Sequence, residues 1–293
     1  MNGTSSAPPD AEAVAARAVR AGGEYLRDVF RDVSIEAEYG TDDVKSAADR
    51  AAEERVCEVL SDAYPDHAIH GEESGRNGNG RHEWVVDPLD GTNNFAAGFP
   101  SFATAVCLLR EETPLVSAIY EPLPDSLYLA RRGEGATVDG DPLVAESELS
   151  LSRATVSYVI GLPALRDGAA RARGDRIEAA LDTRCKRVLD TWSPCVDWGL
   201  LARGGIEGLV AYKPDVYEQY AGELLAAEAG IEHRIFDLDD GAASDVDSGG
   251  ADSGGADSGD HVSGVGRLYV AATDQERCDD LVTTTLDALD TEV

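Results

Sequence analysis

The chain has 293 residues, 43% of them hydrophobic, so it can bury a sizeable core in one large domain or in two lobes. Its 56 acidic residues face only 25 Lys and Arg residues, and the formal net charge is −31. Such a surface repels nucleic acid and anionic membranes, and no apolar run approaches the roughly 20 residues that span a bilayer, so we expect neither partner.

Helices are predicted first along the chain. Asp10 is predicted to cap a helix that ends near residue 32, because apolar residues recur there at helical spacing. A second helix is predicted over 48–63. Strands are then predicted at 84–87, 102–109, 115–120 and 126–131, before a Gly-rich hairpin at 132–140. The first half is therefore predicted to be α+β.

Strands and helices alternate in the second half. The predicted strands are 155–160, 187–189, 206–212, 234–236 and 268–271, and the predicted helices are 169–181, 194–203, 216–229 and 274–289. Alternation of this kind favours an α/β lobe. We therefore predict an α+β domain over 1–147 and an α/β domain over 148–293.

A segment rich in Gly, Ser and Asp interrupts the alternation at 241–266. The sequence Ser-Gly-Gly-Ala-Asp begins at Ser248 and again at Ser253. Almost nothing in this segment can be buried, so it is predicted to be a disordered, solvated loop. A regulatory or partner-binding segment is the alternative.

A functional site is indicated where an apolar run ends at two acidic residues, Asp87 and Asp90. Two nearby carboxylates repel each other, and one protonates unless a cation neutralises them. Hard divalent cations bind such oxygens, including backbone carbonyls like that of Leu89. The N–H groups of Gly91 and Thr92 suit phosphate oxygens. The pattern predicts a metal-assisted phosphate site, and an Asp-rich turn is the alternative.

The stretch from Asp87 to Phe95 resembles the D-P-x-D-G-T-x-N-F signature of the inositol monophosphatase-like family of Mg²⁺-dependent sugar phosphatases. Every fixed position of the signature is met. The resemblance implies a five-layer αβαβα sandwich of the type shared with fructose-1,6-bisphosphatase. It also implies a homodimer that hydrolyses a small phosphate monoester, such as an inositol monophosphate or a related sugar phosphate, by a two-metal mechanism.

The resemblance also assigns roles to particular residues. Glu72, in a Gly-Glu-Glu motif, Asp87, Asp90 and the Leu89 carbonyl would hold Mg²⁺. Thr92 would polarise the attacking water.

Further positions would assist that water or bind the substrate. Ser46 takes the place of a family Thr and Asp49 matches a family Asp, and both would assist the water. For Asp49, a helix N-cap is the alternative. Substrate contacts would come from Asp90 and Ser193, and from Gly91 and Thr92, whose amides would hold phosphate oxygens.

The last metal ligand departs from the family pattern. The family has Trp-Asp before a small-residue helix that leads to Glu-Ala-Gly, and this chain has Tyr217 and Glu218 at those positions. Glu218 is predicted as the ligand although its carboxylate extends one methylene further, and the neighbouring Asp215 is the alternative.

Two more departures concern the substrate. Trp192 replaces the Gly of the family's Gly-Ser pair, and Ala211 stands where the family has a Glu that reads sugar hydroxyls. The substrate therefore remains open among inositol phosphates, fructose 1,6-bisphosphate and nucleotide 3′-phosphates. These substitutions also motivate a rival hypothesis, a catalytically degenerate member that binds a metabolite or a partner.

The number of cysteines and the composition of residues 1–9 indicate the cellular compartment in which the protein is expected. The five cysteines are odd in number and lack paired metal-ligand spacing, which predicts free thiols in a reducing cytoplasm. Residues 1–9 lack the apolar core of a signal peptide, so a soluble cytoplasmic protein is expected. The excess of acid resembles that of halophilic archaeal proteins, in which high salt screens the charge.

Overall fold

The computed structural model describes residues 7–32, 37–39, 44–239, 242–246 and 266–290, although not the side chains of 37–39, 44–46, 239 and 242–246. Contacts divide the chain into two compact units. Unit 1 comprises Met1–Val144, Trp192–Ala202 and Tyr217–Ala229. Unit 2 comprises Ala145–Thr191, Arg203–Val216 and Gly230–Val293.

The described residues form eight α-helices, one short 3₁₀ helix and sixteen strands. The helices are α1 (Ala11–Arg31), α2 (Ala47–Ala63), α3 (Thr92–Ala97), α4 (Leu162–Arg166), α5 (Gly168–Arg184), α6 (Pro194–Ala202), α7 (Val216–Glu228) and α8 (Gln275–Asp290), with the 3₁₀ helix at Leu151–Arg153. The strands are β1 (Ala37–Tyr39), β2 (Val44–Ser46), β3 (Ala68–Gly71), β4 (Gly75–Asn77), β5 (His82–Asp90), β6 (Ala103–Arg110), β7 (Thr113–Glu121), β8 (Ser126–Arg131), β9 (Gly135–Val138), β10 (Asp141–Pro142), β11 (Thr155–Ile160), β12 (Arg187–Leu189), β13 (Gly208–Tyr212), β14 (Glu232–Asp239), β15 (Ala242–Val246) and β16 (Arg267–Ala272).

Unit 1 is built on an eight-stranded sheet in the order β10-β9-β8-β7-β6-β5-β3-β4. Neighbouring strands are antiparallel except β3 and β5, which are parallel. Helices α1 and α2 pack against this sheet and each other. Val14 and Ala18 of α1 lie four residues apart on one face, and they join Val56, Leu60 and Trp84 in a buried cluster. Burying each large side chain contributes about 1.5–3 kcal/mol.

Asp10 precedes α1 as predicted, but its side chain does not cap the helix. Its carboxylate instead accepts a hydrogen bond of 2.6 Å from the Tyr64 hydroxyl, just beyond the end of α2. A tertiary contact has therefore taken the place of the local cap that the sequence suggested.

The end of β5 is irregular where the two acids of the signature stand. The pairing of β5 with β6 shifts register between Asp87 and Asp90, so the strand bulges there. Pro88 lies in this bulge, where no N–H is required, and its carbonyl accepts the Thr104 hydroxyl at 2.9 Å. Gly91 follows with φ at 89°, and a Cβ there would lie 2.8 Å from the Ser101 carbonyl oxygen. The turn that opens α3 therefore requires glycine.

Unit 2 is built on a six-stranded sheet in the order β12-β11-β13-β16-β14-β15. Strand β11 is parallel to β12 and β13, and the other pairs are antiparallel. Helices α5 and α8 pack together and contribute Ile177 and Leu281 to a core shared with Val156, Val210 and Val270. The alternating pattern of the sequence thus yields a mixed sheet.

The units differ from the predicted division at residue 147, because two later segments belong to unit 1. Helix α6 packs against β6 and β7. At the end of α7, the Glu228 carboxylate accepts the N–H groups of Gly133 and Gly135, each at 2.8 Å. Local alternation predicts the elements but not which sheet a helix covers.

Part of the predicted disordered segment is ordered. Residues 242–246 form β15, which pairs antiparallel with β14 and so satisfies backbone groups that an edge strand would otherwise expose. The repeats that begin at Ser248 and Ser253 lie outside the described residues. None of the helices in the described part of the chain is long and apolar enough to cross a membrane.

High salt is expected to stabilise this fold. The charge of −31 leaves many carboxylates without a basic partner, and their repulsion extends over about 10 Å at 0.1 M salt but only about 3 Å at 1 M. The melting temperature should therefore rise by several degrees from dilute to molar KCl. Calorimetry in KCl, with an isosmolar sucrose control, measures this. An equal melting temperature in dilute and molar KCl would refute the halophilic interpretation.

Candidate metal and phosphate site

Three buried side chains of unit 1 converge at the end of β5. Asp87, Asp90 and Cys195 each bring a ligand atom within 4.8 Å of the other two. The two aspartates are 4% and 5% exposed, and Cys195 stands in the first turn of α6. The sequence predicts the two acids, but nothing in the spacing of the cysteines indicates the thiol.

Four other acids surround Asp87. Its pKa is raised well above the ordinary value, first because burial removes water from the carboxylate, then because Glu72, Asp90, Glu218 and Asp49 carry like charge nearby. One carboxylate oxygen of Asp87, Oδ1, is buried without a hydrogen-bond partner. A buried, unpartnered oxygen amid like charges fits a divalent cation, which supplies the missing positive charge and the missing ligand contact.

Asp90 is held by hydrogen bonds from α6 and the residue before it. The Ser193 hydroxyl donates to Asp90 Oδ2 at 2.6 Å, and the Cys195 N–H donates to the same oxygen at 2.9 Å. Burial raises the pKa of Asp90 to about 7, and these donors partly offset that rise. Ser193, predicted as a substrate contact, thus orients a predicted metal ligand.

Thr92 and Asp49, each predicted to act on the attacking water, are joined by a hydrogen bond. The Thr92 hydroxyl lies 3.0 Å from Asp49 Oδ1 and 3.0 Å from the Leu89 carbonyl oxygen. Because the hydroxyl proton is donated to one of these acceptors, its oxygen can accept a hydrogen bond from a water. Ser46 belongs to β2, and its side chain lies outside the described residues.

Glu53 is a buried acid of this site that the sequence analysis missed. It stands one helical turn after Asp49 in α2, so the two acids share a face of that helix. Its carboxylate accepts the N–H groups of Glu73 at 2.8 Å and Ser74 at 2.9 Å. Glu53 therefore holds the loop that carries Glu72. The four-residue spacing from Asp49 is the signal that could have revealed it.

Glu218 lies near Asp87 within unit 1. Glu218 is buried in the first turn of α7, and its charge contributes to the raised pKa of Asp87. Asp215, the alternative ligand, belongs to unit 2.

A hydrogen bond links the segments that carry Glu72 and Glu218. The Tyr217 hydroxyl lies 3.3 Å from His70 Nε2, and the two rings meet edge to face at 5.2 Å. Tyr217 precedes Glu218 directly, and His70 lies two residues before Glu72. The contact therefore joins two predicted ligand segments that are distant in sequence.

The residues that depart from the family pattern lie in different environments. Trp192 is 45% exposed and adopts φ of 56°, a left-handed conformation that glycine enters without strain. Ala211 is buried in β13 of unit 2. The backbone at Trp192 is therefore strained for a residue with a Cβ.

Substituting Gly71 by Ala is expected to disturb the Glu72 loop. A Cβ at Gly71 would lie 2.5 Å from Glu53 Oε2, so either the carboxylate or the loop must move. We expect a loss of about 1–3 kcal/mol in the free energy of unfolding and weaker Mg²⁺ binding. Thermal unfolding and calorimetric Mg²⁺ titration measure both.

The matched control is Ser74→Ala, which keeps the backbone N–H that Glu53 accepts. It should leave Mg²⁺ affinity unchanged. If Gly71→Ala retained both wild-type stability and wild-type Mg²⁺ affinity, Glu53 would not position this loop.

Known proteins are similar to this chain over most of its length. The sequence profile of the Inositol monophosphatase family matches residues 10–283. A protein of Aquifex aeolicus named fructose-1,6-bisphosphatase/inositol-1-monophosphatase is 35% identical over 225 residues, or 74% of this chain and 82% of that protein. A protein of Haemophilus influenzae named Nus factor SuhB is 30% identical over 223 residues, with the same coverage of 74% and 82%.

Solved structures share the fold. The inositol monophosphatase of Anabaena (Nostoc) has a TM-score of 0.75 at 25% identity and covers 94% of this chain and 95% of its own. The suhB protein of Bartonella henselae has a TM-score of 0.77 at 22% identity and covers 96% of this chain and 98% of its own. The predicted α/β fold class is confirmed. Since the family profile spans nearly the whole chain, this protein is a member of the inositol monophosphatase family.

Proposed function

We propose that this protein is a Mg²⁺-dependent phosphomonoesterase that hydrolyses a small phosphate monoester, such as an inositol monophosphate or a related sugar phosphate. The observation that carries the proposal is the buried Asp87 and Asp90 pair, with an unpartnered Asp87 oxygen, beside the Asp49 and Thr92 hydrogen bond. The name of the Aquifex relative supports the same reaction class.

The carboxylates of Glu72, Asp87, Asp90 and Glu218, with the Leu89 carbonyl, would hold Mg²⁺. When bound, the ions neutralise the phosphate and activate water. Such help is needed because uncatalysed hydrolysis of phosphate monoesters is among the slowest reactions that enzymes accelerate.

The chain's own residues orient the reactants. In this proposal the N–H groups of Gly91 and Thr92 hold phosphate oxygens. The Thr92 hydroxyl accepts a hydrogen bond from the attacking water and donates its own proton toward Asp49. A bond forms from the water oxygen to phosphorus while the ester P–O bond breaks, so no covalent enzyme intermediate is required. The departing alkoxide oxygen takes a proton from solvent water and leaves as the alcohol. The water's proton passes through Thr92 toward Asp49, and Ser46 would assist this step.

A second candidate function rests on the relatives named Nus factor SuhB. A degenerate family member could keep the fold and metal residues while binding a metabolite or a partner protein. The substitutions at Glu218 and Trp192 are compatible with that role. The expectation that the chain binds no nucleic acid follows only from its charge and remains a prediction, as do the homodimer and the cytoplasmic location.

Phosphate release from a panel of substrates tests the proposal. The panel contains inositol 1-phosphate, fructose 1,6-bisphosphate and a nucleotide 3′-phosphate, assayed in molar KCl with Mg²⁺ or EDTA. We expect turnover of at least one substrate that EDTA abolishes, and much slower turnover by Asp49→Asn. Mg²⁺ binding without hydrolysis of any of these substrates would instead support the binding protein.

A further inference from the structure

We propose that Asp87, Asp90 and Cys195 form a mixed carboxylate–thiolate site that binds a thiophilic divalent cation, Zn²⁺ above all, more tightly than it binds Mg²⁺. The proposal concerns which cations this chain selects. It does not depend on phosphatase activity, because it rests on the three ligand atoms alone.

The geometry brings a sulfur atom to the carboxylate pair. All three ligand atoms lie within 4.8 Å of one another, and Cys195 is fully buried. Ligand atoms that share a tetrahedral Zn²⁺ lie about 3.5 Å apart, given Zn–S of about 2.3 Å and Zn–O of about 2.0–2.2 Å. Side-chain shifts of about an ångström therefore suffice to close the site.

The first turn of α6 fixes the orientation of the thiol. The Cys195 N–H donates to Asp90 Oδ2 at 2.9 Å, and the Cys195 sulfur lies within 4.8 Å of an Asp90 carboxylate oxygen. The side chain is therefore directed at a metal-binding acid and not into the surrounding apolar core. The unpartnered Asp87 Oδ1 lies in the same cluster and supplies a second, independent indication of a missing ligand.

A sulfur ligand changes which metal ions the site binds most tightly. Thiolates are soft ligands that bind Zn²⁺ and related ions, whereas Mg²⁺ strongly prefers oxygen in an octahedral arrangement. Two carboxylates, one thiolate and one water complete a tetrahedral set for Zn²⁺. As the metal–sulfur bond forms, the thiol proton leaves to bulk water. Zn²⁺ bound here would occupy Asp87 and Asp90 and thereby compete with Mg²⁺.

Cd²⁺ is a suitable probe because its thiolate complexes absorb in the ultraviolet, and the absorption reports a sulfur ligand directly. Titration of the full chain with Cd²⁺ should produce this charge-transfer band, and Asp87→Asn should weaken it. Cys195→Ser keeps the backbone N–H bond to Asp90 and replaces sulfur by oxygen. We expect it to lose the band and at least about tenfold of Cd²⁺ and Zn²⁺ affinity, with Mg²⁺ affinity changed by less than about twofold.

The matched control is Cys57→Ser, since Cys57 is a half-buried thiol of α2 outside the cluster. It should retain the band and the Zn²⁺ affinity. The same Cd²⁺ and Zn²⁺ binding in Cys195→Ser and wild type would overturn the proposal.

X-ray absorption at the zinc edge keeps the proposal testable if Cys195→Ser fails to fold. The wild-type protein with one equivalent of Zn²⁺ should show one sulfur neighbour at about 2.3 Å. A zinc shell of oxygen and nitrogen alone would overturn the proposal. Loss of phosphatase activity in every variant would instead bear on the proposed function and leave these metal readouts unaffected.

Discussion

Asp90→Asn is expected to lower Mg²⁺-dependent turnover by about a thousandfold while leaving the fold intact, because a metal site contributes several kcal/mol to transition-state stabilisation. The amide oxygen can still accept the Ser193 hydroxyl and the Cys195 N–H. The substitution removes the negative charge that holds a cation. Phosphate-release kinetics over a range of Mg²⁺ concentrations measure the effect. Near wild-type turnover by Asp90→Asn would contradict the mechanism.

The same variant also tests how the stability of the metal-free protein depends on pH. Burial raises the pKa of Asp90 in the folded protein to about 7, whereas its ordinary value is 3.8. Folding therefore favours the neutral carboxyl, so its stabilising contribution is present below about pH 4 and is lost as pH rises through about 7. Without metal, the wild type should lose stability between pH 5 and pH 8, and Asp90→Asn should lose less.

Thermal unfolding in EDTA at the two pH values measures this difference. Mg²⁺ should raise the melting temperature of the wild type more at pH 8 than at pH 5, because protons no longer compete for Asp87 and Asp90. If Asp90→Asn were less stable than the wild type in EDTA at pH 8, the buried carboxylate would not be destabilising the metal-free fold.

Glu218→Ala is expected to weaken binding of one Mg²⁺ and to lower turnover by about a hundredfold, because Glu218 is buried near Asp87 and adds to its negative surroundings. Asp215→Ala is the matched control and should change turnover by less than about twofold. Calorimetric Mg²⁺ titration of the wild type and both variants, with phosphate release, separates binding from catalysis.

Two outcomes would contradict this prediction. A loss confined to Asp215→Ala would make Asp215 the ligand and disprove the role of Glu218. Negligible wild-type turnover, with no effect of either substitution, would support the degenerate binding protein. Glu218→Asp tests the effect of the extra methylene. If the contact between Tyr217 and His70 holds the first turn of α7 at a distance that suits Glu, the shorter Asp side chain should bind Mg²⁺ less tightly.

The sequence by itself determined that a metal and phosphate site is predicted at the end of β5. Asp87, Asp90 and Thr92 lie within six residues of one another, so a local pattern and its ordered spacing suffice to predict a metal and phosphate site. Glu72 and Asp49 were predicted from the family resemblance, in which each belongs to a short motif of its own. The helices α1 and α2 were also predictable, because apolar residues recur there at helical spacing.

The tertiary structure alone decided which distant segments complete the site. Glu53, Cys195 and the Tyr217–His70 pair carry no local signature, because their roles come from non-local packing. The assignment of α6 and α7 to unit 1 has the same cause. Periodicity specifies a helix and its apolar face, but the surface that buries this face depends on the whole packed chain. For that reason, the motif residues could be predicted from the sequence, whereas the residues that orient them could not.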